Sequence, residues 1–424
     1  MNKISVPPHS SRCALLLALA GLLPLLSGCS ALRSDYQTPE VTMPALWQQA
    51  SSSQEASAQL TSLWWQAFND PQLNALIGEV LQRNPDLAVA GIKLRKARLQ
   101  ADLTATNRTP DLTVGASSQV SAPLDGGSST HSYSTQASLS YELDLWGRLA
   151  SSRDAARWEA EATAQDKAAT ALSLVGTTAA IYWQIGYLNE SLALGEANLA
   201  DTRRALDLAI LKHQAGATDG LDLLQARQDL ATQEAELTQT RQQLVEQRNA
   251  LALLFDAPPE QWQVHERQEL KNLQLPTIQP GLPAELLARR PDLQASELRL
   301  RSTLASGDNT RLSLYPVLSL TGSAGGESLS LSKVLQDPVG SLGAGLTLPF
   351  VNWNQQQLNV QVADAEYAQA VVEFRQSLYQ ALSEVEDKLA AATHYQQQAE
   401  QLQAAFDLAS RSEQLAEIRY RQGA

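Results

Sequence analysis

The feature that most constrains this 424-residue chain is that its second half repeats its first. Residues Leu81–Leu87 read LQRNPDL, and 206 residues later Leu287–Leu293 read LARRPDL. At an offset that is one residue longer, Trp146 aligns with Trp353. A shared helical composition would not explain two aligned tryptophans. A self-similarity that holds its register over most of a chain predicts one structural unit that occurs twice.

Each copy contains two segments in which apolar and polar residues alternate, the pattern of a strand with one apolar and one polar face. In residues 136–145 the alternation is unbroken over ten residues, enough for a tilted strand to cross a bilayer. Trp146, Tyr315 and Trp353 lie at predicted strand ends, where a membrane-interface belt of aromatic residues would lie. The rim of a soluble β-sandwich remains an alternative interpretation of the same pattern.

Four such strands cannot close a barrel, and the smallest membrane barrels have eight strands. An open sheet edge cannot face lipid, because each unpaired backbone group there costs several kcal/mol. Strands that span a membrane would therefore be shared between copies of the chain. A dimer supplies eight strands and a trimer twelve, and the arithmetic does not choose between them.

Long helices follow each pair of strands. A stripe of leucines recurs every seven residues along the returning helix, at Leu223, Leu230, Leu237, Leu244 and Leu251. Sustained heptads predict coiled-coil packing, here in a helical hairpin that turns at residues 215–220. Asp70 and Asn84 each precede a proline and are predicted to cap short helices, whereas Arg290 replaces the cap in the second copy.

The N-terminus predicts export. Lys3 and Arg12 precede an apolar run at residues 14–26, and Leu-Ser-Gly then leads to Cys29. This layout is that of a signal peptide and resembles a bacterial lipoprotein box, which implies a diacylglyceryl group and an N-acyl chain on Cys29. Removal of residues 1–28 changes the formal charge from −13 to −15, because they carry two cations and no acid.

The predicted organisation assigns strands near 110–122, 134–146, 314–325 and 340–352 and a first hairpin near 150–255. The domains are a signal peptide (1–28), a lipidated tether (29–62), the first repeat (63–255), a linker (256–283) and the second repeat (284–424). The second repeat ends at the turn of its hairpin, so we expect that the sequence is a fragment lacking ~40 residues or more.

Several function classes are disfavoured. A strongly acidic chain is a poor nucleic-acid ligand, because neutralisation of phosphates needs clustered cations. No phosphate-binding loop or nucleophile motif occurs, and we predict neither a catalytic residue nor a metal site. The four histidines beyond the signal peptide have no ligand spacing; they are His131, His213, His265 and His394.

Four motifs together resemble the outer membrane factor (TolC-like) family, in particular the lipoprotein branch that serves resistance-nodulation-division efflux systems. They are the stretch that begins at Trp64-Trp65, the box Asn84-Pro85-Asp86-Leu87, the segment Tyr141–Arg148 and the turn Gly216–Arg227. The resemblance implies a mainly α-helical fold with membrane β-strands. In it, a homotrimer shares a twelve-stranded β-barrel in the outer membrane and extends a long coiled-coil α-barrel into the periplasm.

The resemblance also implies a passive exit duct for drugs or other small toxic compounds. Its partners would be a periplasmic adaptor, an inner-membrane resistance-nodulation-division transporter and outer-membrane lipid. No cofactor is implied beyond the acyl groups on Cys29. Metal-ion efflux and type I protein secretion remain alternatives within the family, and a periplasmic adaptor lipoprotein is an alternative outside it.

In this family the hairpin tips form the periplasmic entrance, and polar links between neighbouring hairpins keep it closed. The resemblance therefore implies a gate contact between Asp222 and Tyr420. The residues that it places at the tip, facing the adaptor, are Gly216, Ala217, Leu221, Leu224, Arg227, Arg419 and Gly423.

Overall fold

A computed structural model describes residues 32–48, 63–258, 266–270, 273, 275–276 and 283–422 of the chain. The predicted signal peptide, Cys29 and Gly423 lie outside the described residues. The elements of the first half are α1 (Pro71–Arg83), α2 (Pro85–Thr106), β1 (Asp111–Ser121), β2 (Thr130–Leu143), α3 (Arg148–Gln214) and α4 (Gly220–Leu253). Those of the second half are α5 (Leu286–Arg289), α6 (Pro291–Leu312), β3 (Val317–Ser328), β4 (Val339–Thr347) and α7 (Trp353–Arg421).

The helix starts follow from the residues that precede each proline. The carboxylate of Asp70 accepts hydrogen bonds from the backbone N–H groups of Gln72 and Leu73, at 3.0 and 3.1 Å. The side-chain oxygen of Asn84 caps α2 by accepting a hydrogen bond of 3.1 Å from the backbone N–H of Leu87. The side chain of Arg290 makes no such hydrogen bond at the start of α6. The three predictions about these helix starts are confirmed. A side-chain oxygen at the cap position stabilises a helix because it replaces a missing intrahelical acceptor.

The four strands form one antiparallel sheet in the order β1-β2-β3-β4. The ladder between β1 and β2 runs from Asp111 opposite Ser140 to Ser121 opposite Thr130. Strand β2 therefore begins before the predicted residue 134, because this pairing continues to the end of β1. It ends at Leu143 rather than near 146, since the next side chain, Asp144, accepts hydrogen bonds from the start of α3.

Strand β4 also ends earlier than the alternation predicts, at Thr347 rather than near 352. Pro349 follows and opens a single 3₁₀ turn, Pro349–Asn352, which leads into α7. Proline has no N–H to donate to a ladder, so it ends the pairing even though apolar residues continue.

The chain divides into two compact units. Among the described residues, the first contains 32–43, Leu94–Gln165 and Leu286–Glu384, and therefore the whole sheet. Its largest fully buried side chains lie on α6 and α7 and are Leu293, Leu300, Phe374 and Leu378.

The second unit contains the turn of the hairpin and the helices on both sides of it. Its core combines α1 with the middle of α3 and the end of α4, and includes Leu73, Ile77, Tyr182, Ile185, Leu244 and Phe255. Leu237, Leu244 and Leu251 of the heptad stripe are buried. A Cβ on Gly195 would lie 3.0 Å from Leu237 Cδ1, which is the close approach of helices that a small residue in the seam permits.

Candidate functional site

One face of the sheet is apolar and open to the surroundings. Residues that lie directly opposite each other on neighbouring strands share a face, so Leu112, Leu139, Gly322 and Leu342 form one row. Leu342 is 95% exposed and Val114 77% exposed. Exposed apolar surface of this extent marks a site of contact with protein or lipid.

Two of the three predicted interface aromatics meet at the base of the sheet. The ring centroids of Trp146 and Tyr315 lie 5.2 Å apart. The indole N–H of Trp146 donates a hydrogen bond of 2.8 Å to the carbonyl of Pro316. Trp353 is 51% exposed and lies at the start of α7. Their position at a membrane interface stays a prediction.

Charged side chains anchor the end of β2 to the start of α3. Arg148 donates to both oxygens of Glu142, at 2.7 and 2.9 Å. Asp144 accepts from the backbone N–H groups of Leu149 and Ala150, at 2.9 and 2.8 Å. These contacts fix the end of the strand to the first turn of α3.

The predicted hairpin turn is present between α3 and α4. Gly216 has a positive φ of 70°, and the N–H groups of Gly216 and Ala217 donate to the carbonyls of His213 and Lys212. This arrangement satisfies the last carbonyls of α3 and reverses the chain. Asp219 then caps α4 through the N–H groups of Leu221 and Asp222, at 2.9 and 3.2 Å.

The predicted tip residues are mostly exposed. Leu221 and Leu224 are about 60% exposed, and Arg227 and Arg419 are also exposed. Surface leucines beside a turn suit a contact with another protein. Within the described part of the chain, no hydrogen bond joins the gate candidates Asp222 and Tyr420. The gate contact and the adaptor contact both stay predictions.

Residues 32–43 of the predicted tether form a polar strap on the helices of the first unit, and the sequence did not predict the partners of this strap. Ser34 donates from its backbone N–H and its hydroxyl to the two oxygens of Asp308, at 2.8 and 2.6 Å. Asp308 is only 4% exposed and also accepts from Arg311 at 2.8 Å. No sequence motif distinguishes Ser34 from the other serines of the predicted tether.

Two further contacts hold the strap and shift the pKa values of Asp154 and Tyr36. Arg33 forms an ion pair with Asp154; burial alone would raise the pKa of Asp154, but hydrogen bonds from Arg33 and Arg153 lower it below its usual value. Tyr36 stacks under the guanidinium of Arg301 at 4.4 Å. Burial, together with the charge of Glu297, raises the pKa of Tyr36 to about 12.

Among the described residues, no cluster of three histidine, cysteine or acidic side chains could hold a metal ion. In the same part of the chain, no helix has an apolar stretch long enough to span a bilayer.

A family model described as "Outer membrane efflux protein" matches residues 76–255 and 282–424. The chain belongs to this family. The pyoverdine export outer membrane protein OpmQ of Pseudomonas putida is 31% identical over 95% of this chain and 88% of its own length. The probable outer membrane lipoprotein SilC of Salmonella typhimurium is 28% identical over 94% of this chain and 88% of its own length.

The crystal structure of the Campylobacter jejuni outer membrane channel CmeC superposes with a TM-score of 0.83 and is 25% identical, covering 92% of this chain and 86% of CmeC. The predicted fold and outer-membrane localisation are confirmed by these relatives, and so is the role as an efflux channel. Membership also confirms the predicted trimer and its work with a periplasmic adaptor and an inner-membrane transporter. The relatives are channel proteins rather than enzymes.

Proposed function

We propose that three copies of this chain form a passive duct through which an inner-membrane pump and its adaptor expel small toxic compounds. The duct itself performs no catalysis. Its strands cross the outer membrane, and its long helices enclose a conduit in the periplasm.

The proposal is supported mainly by the sheet, which has four strands, is open at both edges and exposes an apolar face. In the described residues, β1 and β4 each pair with one strand only, so each leaves a row of backbone donors and acceptors without a partner strand. Such edges are not stable against lipid, and pairing β4 of one copy with β1 of the next satisfies both. Three copies close twelve strands, in agreement with the family.

The entrance of this duct is assigned to the hairpin tip. The tip is held by the turn at Gly216 and the cap at Asp219, which keep Asp222 at a fixed place on the first turn of α4. We assign Asp222 and Tyr420 of neighbouring hairpins to the closing contact, and the exposed tip leucines to the adaptor. A carboxylate that accepts a phenolic hydrogen bond would link two hairpins with little buried surface, so the link could be broken by adaptor binding.

The outer-membrane anchor is assigned to Cys29, whose thiol would carry a diacylglyceryl group after cleavage of residues 1–28. The motif Leu-Ser-Gly-Cys and the description of SilC as a probable lipoprotein support this assignment. Metabolic labelling with palmitate tests it: the wild type should incorporate label and a Cys29→Ser variant should not. Equal labelling of both proteins would refute the anchor.

Conductance in a planar bilayer tests the duct and its gate. The purified protein should conduct ions with no energy source, and Asp222→Ala should raise the single-channel conductance. Asp229→Ala is the matched control, because Asp229 is exposed on the same helix one heptad further from the tip. Failure to conduct would refute the duct, whereas equal conductance of the Asp222→Ala variant and the wild type would refute only the gate.

A further inference from the structure

The loops at one end of the sheet carry leucines that face solvent. Each strand is joined to a helix at the other end of the sheet, so the loops 122–129 and 329–338 share the end that is remote from the helices. The side chain of Leu124 is fully exposed, and those of Leu331 and Leu335 are 67% and 73% exposed. Leucines grouped in this way are unfavourable in water and indicate a surface that a partner covers.

The loop 329–338 is packed against β3, which holds its leucines in a fixed place. It contains a 3₁₀ turn, Leu331–Lys333, and the next side chain, Val334, is buried. A Cβ on Gly326 of β3 would overlap the carbonyl oxygen of Val334, so the backbone of the loop occupies the space that a larger residue would need. Val334 therefore packs inward, whereas Leu331 and Leu335 are left for another surface.

The apolar face of the sheet ends before these leucines begin. Ala137 and Ala324 lie opposite each other in an apolar row of that face. Four residues closer to the loops, the corresponding row contains Ser118, Tyr133 and Ser328. A polar row with a tyrosine is typical of the level at which the hydrocarbon of a membrane ends. The leucines of the loops lie beyond this row, where protein rather than lipid is expected to cover them.

A neighbouring copy brings a second loop to the same place. When β4 of one copy pairs with β1 of the next, Val339 at the start of β4 and Ser121 at the end of β1 lie at the same end of the sheet. The loop 329–338 leads into β4 and the loop 122–129 follows β1, so the two loops flank the seam between the copies. Neighbouring strands are ~4.8 Å apart, which brings leucine side chains on the two loops within reach of each other.

We propose that Leu124 of one copy packs against Leu331 and Leu335 of the copy beside it, at each of the three seams. These contacts form an apolar collar around the end of the barrel that is remote from the helices. The collar holds the copies together where the strands, and with them the backbone hydrogen bonds, come to an end. The inference rests on the proposed function, because it needs β4 of one copy beside β1 of the next.

Cross-linking between chains tests the collar in the trimer reconstituted in bilayers. A chain with both Leu124→Cys and Leu335→Cys, treated with a short bismaleimide, should give covalently linked dimers and trimers on a denaturing gel. Ser128→Cys with Leu335→Cys is the matched control, because Ser128 is exposed in the same loop but adjoins β2, away from the seam. The control pair should leave monomers, and each single variant reports any link through Cys29.

Polar substitution gives an independent readout of the apolar contact. Leu124→Ser and Leu335→Ser should each speed the dissociation of trimers in detergent by about tenfold, since each removes a leucine from a buried contact. The double variant should dissociate within about threefold of either single variant, because both substitutions remove the same contact. Leu124→Ile keeps an apolar side chain and should dissociate at the wild-type rate.

The remaining outcomes separate the collar from the duct. Conducting trimers in which Leu124→Cys and Leu335→Cys link no two chains leave the duct standing and overturn the collar. Labelling of both thiols by a maleimide carried on a lipid acyl chain also overturns it, because the outer leaflet would then cover the leucines. A protein that forms no conducting oligomer overturns the proposed function and this inference together.

Discussion

The hydroxyl of Tyr182 donates a hydrogen bond of 3.1 Å to the buried carboxylate of Asp70. The same carboxylate caps α1 and accepts from Arg267 at 2.5 Å. A single acid thus joins the start of α1 to the middle of α3 and to the described residues 266–270 of the linker. Because Asp70 is 7% exposed, loss of any of these donors would leave a buried charge less well satisfied.

Removing this hydroxyl should destabilise the second unit in a pH-dependent way. Burial and the charge of Asp70 raise the pKa of Tyr182 from 10.0 to about 12. The stabilisation is therefore complete below the ordinary pKa and is lost between about pH 10 and about pH 12, where the unfolded tyrosine ionises first. Tyr182→Phe should cost roughly 1–2 kcal/mol at neutral pH and remove this alkaline dependence.

Denaturant unfolding in detergent, followed at neutral and alkaline pH, measures the effect. Tyr187→Phe is the control, since Tyr187 lies on the same helix and is 54% exposed. Suppose that the free energy of unfolding of Tyr182→Phe and of Tyr187→Phe falls equally between about pH 10 and about pH 12. The hydrogen bond between Tyr182 and Asp70 is then not the source of the alkaline destabilisation.

The hairpin turn should depend on one glycine and tolerate substitution at another. Gly216 has a φ of 70°, a conformation that costs an L-residue roughly 1–2 kcal/mol. Gly216→Ala should therefore loosen the tip, although no atom lies within 4 Å of the added Cβ. Gly220→Ala also meets open space, but at the first position of α4 and without a positive φ.

Hydrogen exchange of the backbone amides near the turn distinguishes the two variants. Exchange should accelerate in Gly216→Ala and stay at the wild-type rate or slow in Gly220→Ala. Identical exchange in both variants would contradict the assignment of strain to Gly216.

The polar strap should contribute to the stability of the first unit. Ser34→Ala removes one hydrogen bond from the buried Asp308, which should cost roughly 1–3 kcal/mol and lower the temperature at which the detergent-solubilised protein unfolds. Asp35→Asn is the control, because Asp35 is the exposed neighbour in the same strap. An unchanged unfolding temperature in Ser34→Ala would mean that the strap is not part of the stable unit.

Local chemistry made part of this fold predictable. The caps at Asp70 and Asn84 and the turn at Gly216 each depend on a few adjacent residues, and a sequence pattern records them. The end of β2 was misplaced because alternation continues through Asp144 and Leu145, whereas the Asp144 side chain is used to cap α3. Capping of a helix here takes precedence over strand periodicity.

Contacts between distant residues could not be predicted in this way. Ser34 and Asp308 are 274 residues apart, and neither has a local signature that marks it for the other. The gate pair is harder still, because it would join neighbouring hairpins, and neither Asp222 nor Tyr420 has a local signature that marks it for the other. What the repeat did provide was the number of strands, and with it the need for further copies.

The most direct test of the central claim is the native mass of the conducting species in detergent. We expect three chains, whose four strands each close one barrel of twelve. A conducting species of one chain, or of two chains with eight strands, would contradict it.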